Sequence, residues 1–329
     1  IEAELIEIRD RYGDARRTEI TFEDGDIDIE DLIADESVVI TISHAGYIKR
    51  TATSEFRTQG RGGRGARGTK TKEEDFVEHM FVASNHNYLL FFTEKGRCYW
   101  LRVYEIPEGS RTSGGRFIQN ILSIPADDKV KAYIIVKDLT DRQFLDSHYI
   151  LFCTKKGQIK KTAVEAYSRP REGGIMAIGI NEGDTLLEAR LTDGNNEIFI
   201  ASKVGNAIHF HESKVRPMGR TATGVIGITL EDDHDLAVGM AVVEPGEKKL
   251  TILSVSEKGT GKRSEVEDYR LTNRGGKGVK TIEVTQKTGD LIAIKAVAEE
   301  DDLMITSPSG IIIRMLVSDI RVMGRATQG

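Results

Sequence analysis

Short loops that combine glycine with arginine or lysine recur along this 329-residue chain. Arginine and lysine are cationic at neutral pH, and neighbouring glycines let the backbone approach a bound group and donate N–H groups to it. Together these residue types suit the binding of phosphate groups. The loops occupy residues 59–65, 111–116, 171–174, 216–220, 273–278 and 321–325.

Further cations recur on predicted strands just before these loops. If the repeats stand around one axis, equivalent positions form a belt of positive charge, which suits a curved polyanion. Each phosphate that such a belt neutralises releases counterions, which gives affinity for duplex DNA without reading its sequence. The alternative is ordinary solvated surface charge. The candidate cations are Lys49, Arg50, Arg67, Arg111, Arg116, Lys160, Lys161, Arg169, Arg171, Arg220, Lys262, Arg263, Arg274, Lys277, Arg314 and Arg325.

No set of residues has the spacing of a catalytic or metal site. Gly60, Gly62 and Gly65 match the letters of a dinucleotide-binding loop, but the strand and helix that must flank such a loop are missing from the pattern. His209 and His211 share a strand face without a third ligand, so they are interpreted as surface or rim histidines. No nucleophile elbow or DNA-recognition helix is visible. We therefore predict no catalytic residue, no metal ligand and no cofactor in this chain.

The charge of the chain is distributed unevenly. Its net charge is −6, but residues 1–36 hold 14 acidic and 4 basic residues, whereas residues 37–329 hold 38 acidic and 42 basic ones. The acidic balance therefore does not exclude a nucleic-acid partner. No apolar stretch approaches the roughly 20 residues that span a bilayer, and no signal peptide is visible. Cys98 and Cys153 lie in apolar runs, which predicts buried, reduced thiols in a cytoplasmic protein without membrane contact.

The loops are positioned by a repeated β-hairpin. Six times, an apolar run ends in serine or threonine and a glycine follows three residues later, at intervals of 48 to 61 residues. Glycine supplies the positive φ that a tight hairpin needs. A third strand, as in residues 175–180, an acidic turn and a fourth strand, as in residues 186–191, complete each copy. Four strands in about 50 residues predict an all-β fold of six propeller-like, four-stranded blades. The glycines are Gly46, Gly96, Gly157, Gly205, Gly259 and Gly310.

The two ends of the sequence bear on ring closure. The sixth copy stops at Gly329, before its third and fourth strands. Residues 17–35 have the pattern of a strand, an acidic turn and a second strand, the last over residues 27–33. They are therefore predicted to complete the last blade. The alternative is an acidic flexible linker. Residues 1–12 show helical periodicity. The predicted organisation is a helical tail over 1–16 and one domain over 17–329.

One loop resembles a known signature. Residues Gln59, Gly60, Arg61, Gly62, Gly63, Arg64 and Gly65 closely resemble the signature box of the DNA gyrase A family, Gln-Arg-Arg-Gly-Gly-Lys/Arg-Gly. The runs over residues 12–20 and 46–50 and the six repeats also resemble this family. Gly60 replaces the first arginine of the box, and Arg67 is the nearest cation outside it.

The resemblance implies a six-bladed β-pinwheel that exchanges a strand between neighbouring blades and wraps duplex DNA around its outer edge. Wrapping presents a DNA segment for strand passage, so that the complete ATP-dependent type II topoisomerase introduces negative supercoils. The box over 59–65 would make wrapping productive, with Arg61 and Arg64 as its cations. The catalytic tyrosine, the Mg²⁺ site and the ATPase would lie outside this chain.

The implied partners are double-stranded DNA, the rest of gyrase A and the gyrase B protein, in an A2B2 heterotetramer at the nucleoid, whereas the isolated domain would be a monomer. Two alternatives remain at the level of sequence. One is the related domain of topoisomerase IV, which binds DNA without strong wrapping. The other is a protein-interaction propeller.

Overall fold

A computed structural model describes residues 2–14, 29–55, 75, 77–110, 112–246, 249–306 and 312–329. The chain forms two compact units, Ile1–Ala34 and Asp35–Gly329. The first unit contains helix α1 (Glu2–Tyr12), which confirms the helical prediction, and a 3-10 helix over Ile29–Leu32. No helix within the described ranges is long and apolar enough to cross a bilayer.

The second unit is built almost entirely of short β-strands. They are β1 (Ser37–Ser43), β2 (Tyr47–Ala52), β3 (Val77–Ser84), β4 (Tyr88–Thr93), β5 (Arg97–Arg102), β6 (Arg116–Phe117), β7 (Val130–Val136), β8 (Tyr149–Thr154), β9 (Gln158–Ala163), β10 (Ile175–Met176), β11 (Leu186–Thr192), β12 (Glu197–Ser202), β13 (Asn206–His211), β14 (Val225–Ile226), β15 (Ala237–Val243), β16 (Leu250–Ser256), β17 (Gly261–Glu265), β18 (Val279–Lys280), β19 (Leu291–Ala298), β20 (Asp302–Thr306) and β21 (Ile312–Leu316).

Short helices accompany the strands. A 3-10 helix follows the second strand of every hairpin, and one further 3-10 helix and one short α-helix, α2 (Arg142–Ser147), lie between strands. The 3-10 helices of the second unit are Thr53–Glu55, Val103–Glu105, Ile118–Asn120, Val164–Tyr167, Glu212–Lys214, Val266–Asp268 and Val317–Asp319.

The strands form propeller-like antiparallel sheets. Four sheets have four strands, in the orders β3-β1-β2-β6, β7-β4-β5-β10, β11-β8-β9-β14 and β15-β12-β13-β18. A fifth has the order β19-β16-β17, and β20 pairs only with β21. The prediction of six four-stranded blades is thus corrected for the described residues, in which five blades have three or four strands and a hairpin stands sixth.

The hairpin turns follow the predicted chemistry. In each of the first five hairpins the glycine N–H donates to the carbonyl of the serine or threonine three residues earlier, at 2.9–3.0 Å. These glycines have φ between +78° and +89°. A residue with a side chain rarely adopts that conformation, so glycine fixes where each hairpin reverses.

The third strand of each repeat is much shorter than predicted and pairs elsewhere. It has two residues in β6, β10, β14 and β18, and each pairs with the hairpin of the preceding repeat. The prediction of a third strand over 175–180 within its own unit is therefore wrong. A glycine with positive φ precedes each of these exchanged strands, and a Cβ at Gly278 would lie 2.3 Å from the carbonyl oxygen of Ala207. Only glycine allows that close approach of two backbones.

The core lies between successive sheets. Leu90 and Phe92 of β4 pack with Phe152 of β8, and Phe92 and Phe152 meet edge to face at 5.1 Å. Cys98 and Cys153 are buried and unpaired, as predicted, and burial raises the pKa of both thiols. Successive sheets therefore stabilise one another through the side chains on their facing surfaces. The two edges of each sheet lie at other surfaces of the unit.

The predicted closing segment is only partly described. Residues 29–32 form a 3-10 helix rather than part of a strand over 27–33, so that prediction is wrong there. Residues 15–28 lie outside the described ranges. Ring closure by residues 17–35 stays a prediction.

Candidate nucleic-acid interface

The two edges of each sheet have different surroundings. The fourth strands β7, β11, β15 and β19 lie next to one another in succession. Burial lowers the pKa of His79 on β3. The positive charges of Lys295 on β19 and Arg190 on β11 are close enough to lower it further. The exchanged strands occupy the opposite edge of each four-stranded sheet. We call these strands and the Gly/Arg loops before them the outer rim.

Exposed cations lie along the outer rim. Arg116 on β6 and Arg169, Arg171 and Lys277 in the loops are exposed. Lys277 forms an ion pair of 3.1 Å with Glu231. A second group is half-buried and consists of Arg50, Arg220, Arg274 and Arg325.

Four further exposed cations were absent from the list of candidate cations, although two of them, Arg216 and Arg321, begin predicted phosphate-binding loops. Arg216, Arg270 and Arg321 each stand four residues before a loop arginine, and Lys280 is the second residue of β18. The spacing Arg-x-x-x-Arg in three loops is the sequence signal that could have identified them.

Several predicted cations lie outside the described part of the chain. The signature box, Gln59 to Gly65, falls there, as do Arg67 and Arg111. Arg314 belongs to β21, and only its backbone is described.

Five predicted rim cations are instead buried. Their exposed fractions are 1% for Lys49, 0% for Lys160, 5% for Lys161, 0% for Lys262 and 3% for Arg263. Their predicted placement on an exposed rim is wrong. Burial of a charge requires polar partners. Strands β2 and β9, which carry the first three lysines, lie one position inside the exchanged strands, and β17, which carries Lys262 and Arg263, is the last strand of its sheet.

Three of these lysines occupy equivalent positions and support the rim loops from inside. The amine of Lys49 donates to the carbonyls of Ser110 and Ser113, at 3.0 and 2.9 Å. The amine of Lys160 donates to Ala177 and Arg220, both at 2.6 Å. Lys49 thus bonds to a loop of the next repeat, whereas Lys160 bonds to its own repeat at Ala177 and to the next repeat at Arg220.

The third lysine repeats this geometry. Lys262 donates to the carbonyls of Gly324 and Arg325, at 2.6 and 2.5 Å. Burial lowers the pKa of Lys49, that of Lys160 to about 7 and that of Lys262 to about 8. At neutral pH the amines of Lys160 and Lys262 therefore carry less positive charge than the sequence alone suggests.

The neighbouring position on the same strands joins successive repeats. Arg50 donates from Nε to the carbonyl of Ile106, and Arg263 donates from Nε to that of Ile320, both at 2.8 Å. Each acceptor is the residue directly after the 3-10 helix of the next hairpin. Trp100 makes the corresponding bond from its indole N–H to the carbonyl of Tyr167 at 2.9 Å. The side-chain type varies, whereas the donated hydrogen bond persists.

Lys161 and His209 occupy this same position in two further hairpins. Lys161 pairs with the fully buried Glu212 at 3.1 Å. His209 is 5% exposed, stacks on Phe199 with ring centroids 4.1 Å apart, and has Nδ1 2.9 Å from the carbonyl oxygen of Tyr269. The prediction of a surface histidine is therefore wrong for His209, which holds adjacent repeats together.

Two loop arginines connect one rim loop to the previous one. Arg274 donates from Nε to the carbonyl of Lys214 at 3.0 Å and from Nη1 to that of Ile226 at 3.1 Å. Arg325 makes the equivalent bonds to Asp268 and Lys280, both at 3.0 Å. Since a guanidinium has five N–H donors, both side chains keep donors for a further partner.

The sequence model of one known family matches almost all of this architecture. The family is described as "DNA gyrase C-terminal domain, beta-propeller", and the match covers residues 37–84, 87–137, 148–193, 196–244, 251–298 and 301–329. The chain belongs to the DNA gyrase C-terminal domain family. Each of the six matched segments contains one of the six hairpins, including β20 and β21, so the repeat count of the family agrees with the glycine spacing.

A DNA gyrase subunit and two topoisomerase C-terminal domains are similar to this chain. The A subunit of DNA gyrase from Staphylococcus aureus (strain NCTC 8325) is 46% identical over 99% of this chain, which spans 36% of the length of that relative. A crystal structure of the C-terminal domain of DNA topoisomerase IV has a TM-score of 0.74, with 26% identity, and covers 90% of this chain and 88% of its own. A structure of the DNA gyrase A C-terminal domain has a TM-score of 0.71, with 25% identity over 89% and 94%.

The gyrase-family domain offers no metal centre in its described parts. No group of three or more histidine, cysteine, aspartate or glutamate side chains there could hold a metal ion. The described residues present exposed cations along one edge of successive sheets, and cations of this kind can neutralise the charges of a polyanion.

Proposed function

We propose that this domain binds duplex DNA along the outer rim and bends it. The observation that carries the proposal is the register of exposed cations, because Arg216, Arg270 and Arg321 occupy the same position in three successive repeats, each at the sheet edge away from the fourth strands. Equivalent positions in successive blades trace a continuous path. A path of cations along a curved edge favours contacts with a DNA backbone that follows the same curve.

We infer the role of the bent DNA and the partners of the domain from the family. As part of a gyrase, the bent segment would be presented for strand passage, and the complete enzyme would introduce negative supercoils with ATP and Mg²⁺ bound elsewhere. The partners would be the rest of gyrase A and the gyrase B protein, in an A2B2 heterotetramer at the bacterial nucleoid in the cytoplasm.

A salt titration of DNA binding tests the rim. The variant Arg216→Ala/Arg270→Ala/Arg321→Ala should lower the slope of log affinity against log salt concentration by about 2 to 3, since each phosphate contact contributes roughly 0.9. The control replaces two exposed lysines elsewhere, Lys137 after β7 and Lys155 in a hairpin turn, by alanine. An equal loss in variant and control, or affinity that is flat with salt, would refute binding at the rim and favour a protein-interaction propeller.

A topological assay separates the two DNA-binding candidates. The second candidate is DNA binding without strong wrapping, and it is kept because the fold is also similar to the C-terminal domain of DNA topoisomerase IV. Ligation of nicked circles in the presence of the domain should leave a positive change in linking number if it wraps DNA as we propose, and none if it only binds. Changing Arg61 and Arg64 together to alanine should abolish that change if the signature box makes wrapping productive. A change that survives the double substitution would refute this role of the box.

A further inference from the structure

A cavity opens between the first and second sheets, at the end where the hairpins turn. Its volume is about 430 Å³, which lies in the range of ligand-sized clefts. The turn of the first hairpin, the strands β3, β6 and β7 and the segment that leads from β6 to β7 supply its wall. The described residues that line it include no cation of the outer rim, so the cavity is separate from the proposed DNA contacts.

The second repeat differs from the later ones in the segment that would fill this space. In the second to fifth repeats an isoleucine after the exchanged strand donates its N–H to the carbonyl of the preceding hairpin glycine, at 2.9–3.3 Å. Two positions later the third, fourth and fifth repeats have an apolar residue that packs against the core, whereas the second repeat has the exposed Asn120. The isoleucines are Ile118, Ile178, Ile228 and Ile282, and the apolar residues are Ile180, Leu230 and Val284.

The length of this segment also differs. The fourth strand begins twelve positions after the isoleucine in the second repeat and eight or nine positions after it in the later ones. The extra residues follow the 3-10 helix Ile118–Asn120. The longer segment therefore leaves open the space that the shorter segments fill.

A buried carboxylate in the wall has an acceptor that the described residues leave unused. The side chain of Asp128 is 0% exposed. Its Oδ1 accepts the N–H groups of Lys95 and Lys129, at 3.1 and 3.0 Å, whereas its Oδ2 accepts no hydrogen bond from a described residue. In the fourth repeat the equivalent Asp235 has its Oδ2 satisfied by the N–H of Glu231 at 3.0 Å. Because a buried carboxylate oxygen without a donor is costly, the cavity favours a ligand that supplies one.

The charges of the other wall residues strengthen this preference. Lys131 pairs with Glu94 at 3.4 Å, and Lys129 and Glu78 are exposed. Among the described lining residues, the fully buried ionisable group is the carboxylate of Asp128. Since an electrostatic interaction is stronger away from water, this carboxylate outweighs the exposed charges and favours a cationic donor.

Aromatic rings supply the rest of the wall. Phe117 of β6, His79 of β3 and Tyr133 of β7 line the cavity, and the rings of His79 and Tyr133 meet edge to face with centroids 5.0 Å apart. Burial lowers the pKa of His79 and raises that of Tyr133, so both rings are uncharged at neutral pH. Such rings attract a further aromatic ring and also a cation.

We propose that this cavity binds an aromatic amine in its ammonium form. The ammonium group donates to Oδ2 of Asp128, and the aromatic body packs against Phe117 and Tyr133. A hydrogen bond between two charged groups is roughly twice as strong as one between neutral groups. This binding activity goes beyond the proposed function and does not depend on it.

A pair of matched ligands tests the site. Tryptamine, which has an indole ring and a primary ammonium group, is titrated into the 329-residue chain by calorimetry. It should bind at one saturable site, whereas indole-3-propionate, with a carboxylate in place of the ammonium, should not bind. The NMR signals of the Lys95 and Lys129 amides, which are bound to Asp128, should shift along the same saturation curve. Equal binding of both compounds, no saturable binding of tryptamine, or shifts that leave these two amides unchanged would overturn the site.

The substitution Asp128→Asn tests the acceptor. The amide oxygen of asparagine can keep the two hydrogen bonds of Oδ1, whereas an NH₂ group replaces the unused acceptor, so the affinity for tryptamine should fall roughly tenfold to a hundredfold. Asp184 provides the matched control, because its Oδ1 accepts the N–H groups of Lys156 and Thr185, at 2.9 and 2.8 Å, in the equivalent turn. Asp184→Asn should leave the affinity unchanged. The same affinity in both variants would contradict the proposal.

The substitution Ala126→Phe tests the cavity without removing a side-chain hydrogen bond of the turn. Ala126 is exposed and lines the cavity, so a phenyl ring at this position reduces the space for a ligand. Tryptamine binding should be lost while the thermal unfolding midpoint is kept. Exposed Ser123, which lies in the same segment outside the wall, provides the control Ser123→Phe. This pair decides the matter if Asp128→Asn does not fold, and wild-type affinity in Ala126→Phe would rule the site out.

Discussion

The buried amine of Lys160 makes the stability of the fold depend on pH in a specific direction. Burial, with the nearby positive charge of Arg220, lowers the pKa of Lys160 to about 7 from 10.5. Between these values the unfolded chain holds a proton that the folded chain releases, so the free energy of unfolding rises with pH. The slope is at most about 1.4 kcal/mol per pH unit, or roughly 2 to 3 kcal/mol between pH 7 and pH 9.

The substitution Lys160→Met removes this dependence while keeping the length of the side chain. At pH 9 it should destabilise the fold by about 1 to 3 kcal/mol, because the carbonyl of Arg220 loses its donor, whereas that of Ala177 keeps the hydroxyl of Tyr167 at 2.9 Å. At pH 7 the loss should be smaller, since methionine avoids the burial of an ammonium group. Urea unfolding at pH 7, 8 and 9 measures both values, with exposed Lys155→Met as the control. A destabilisation that stays constant across this range would refute the reasoning.

Two other substitutions test contacts within and between repeats. Gly278→Ala should destabilise the fold by several kcal/mol in thermal unfolding, because its Cβ would lie 2.3 Å from the carbonyl oxygen of Ala207, whereas Gly219→Ala, with nothing within 4 Å, should be nearly neutral; equal effects would contradict the close-approach argument. Glu212→Ala should cost about 3–5 kcal/mol in chemical denaturation, because it leaves the ammonium of Lys161 buried without its carboxylate. A cost below about 1 kcal/mol would show that Lys161 finds water instead.

The sequence predicts the hairpins well because their determinants are local. A serine or threonine followed by glycine three residues later predicts a turn in which the glycine N–H donates to the carbonyl of the serine or threonine. The five fully described turns have this hydrogen bond and a positive φ at the glycine. The exchange of strands is not encoded in this way. The residues of β10 alternate like any short strand, and nothing in their types says whether they pair with their own hairpin or the previous one. That information came from resemblance to a family.

The sequence predicted the loops that lie along the outer rim, but only some of the cations that are exposed there. Charge in a sequence does not distinguish Lys160, which donates to carbonyls in the interior, from Arg171, which is exposed beside the same loop. Both residues lie at positions that recur from repeat to repeat, Lys160 on a strand and Arg171 in a loop. The difference arises because Lys160 lies one strand inside the sheet edge, where the carbonyls of the next repeat face it.

The exchanged strands also determine how such an array can gain or lose a unit. A deletion of residues 175–224 would join Gly174 to β14, which could then pair with β5 as β10 does, while β15 and β18 would take the edges beside β8 and β9. Every edge would keep a partner in an array one sheet shorter. A deletion whose boundaries coincide with those of one sheet would instead leave two strands without a partner. Segments that are duplicated or lost in this fold should therefore begin and end at exchanged strands.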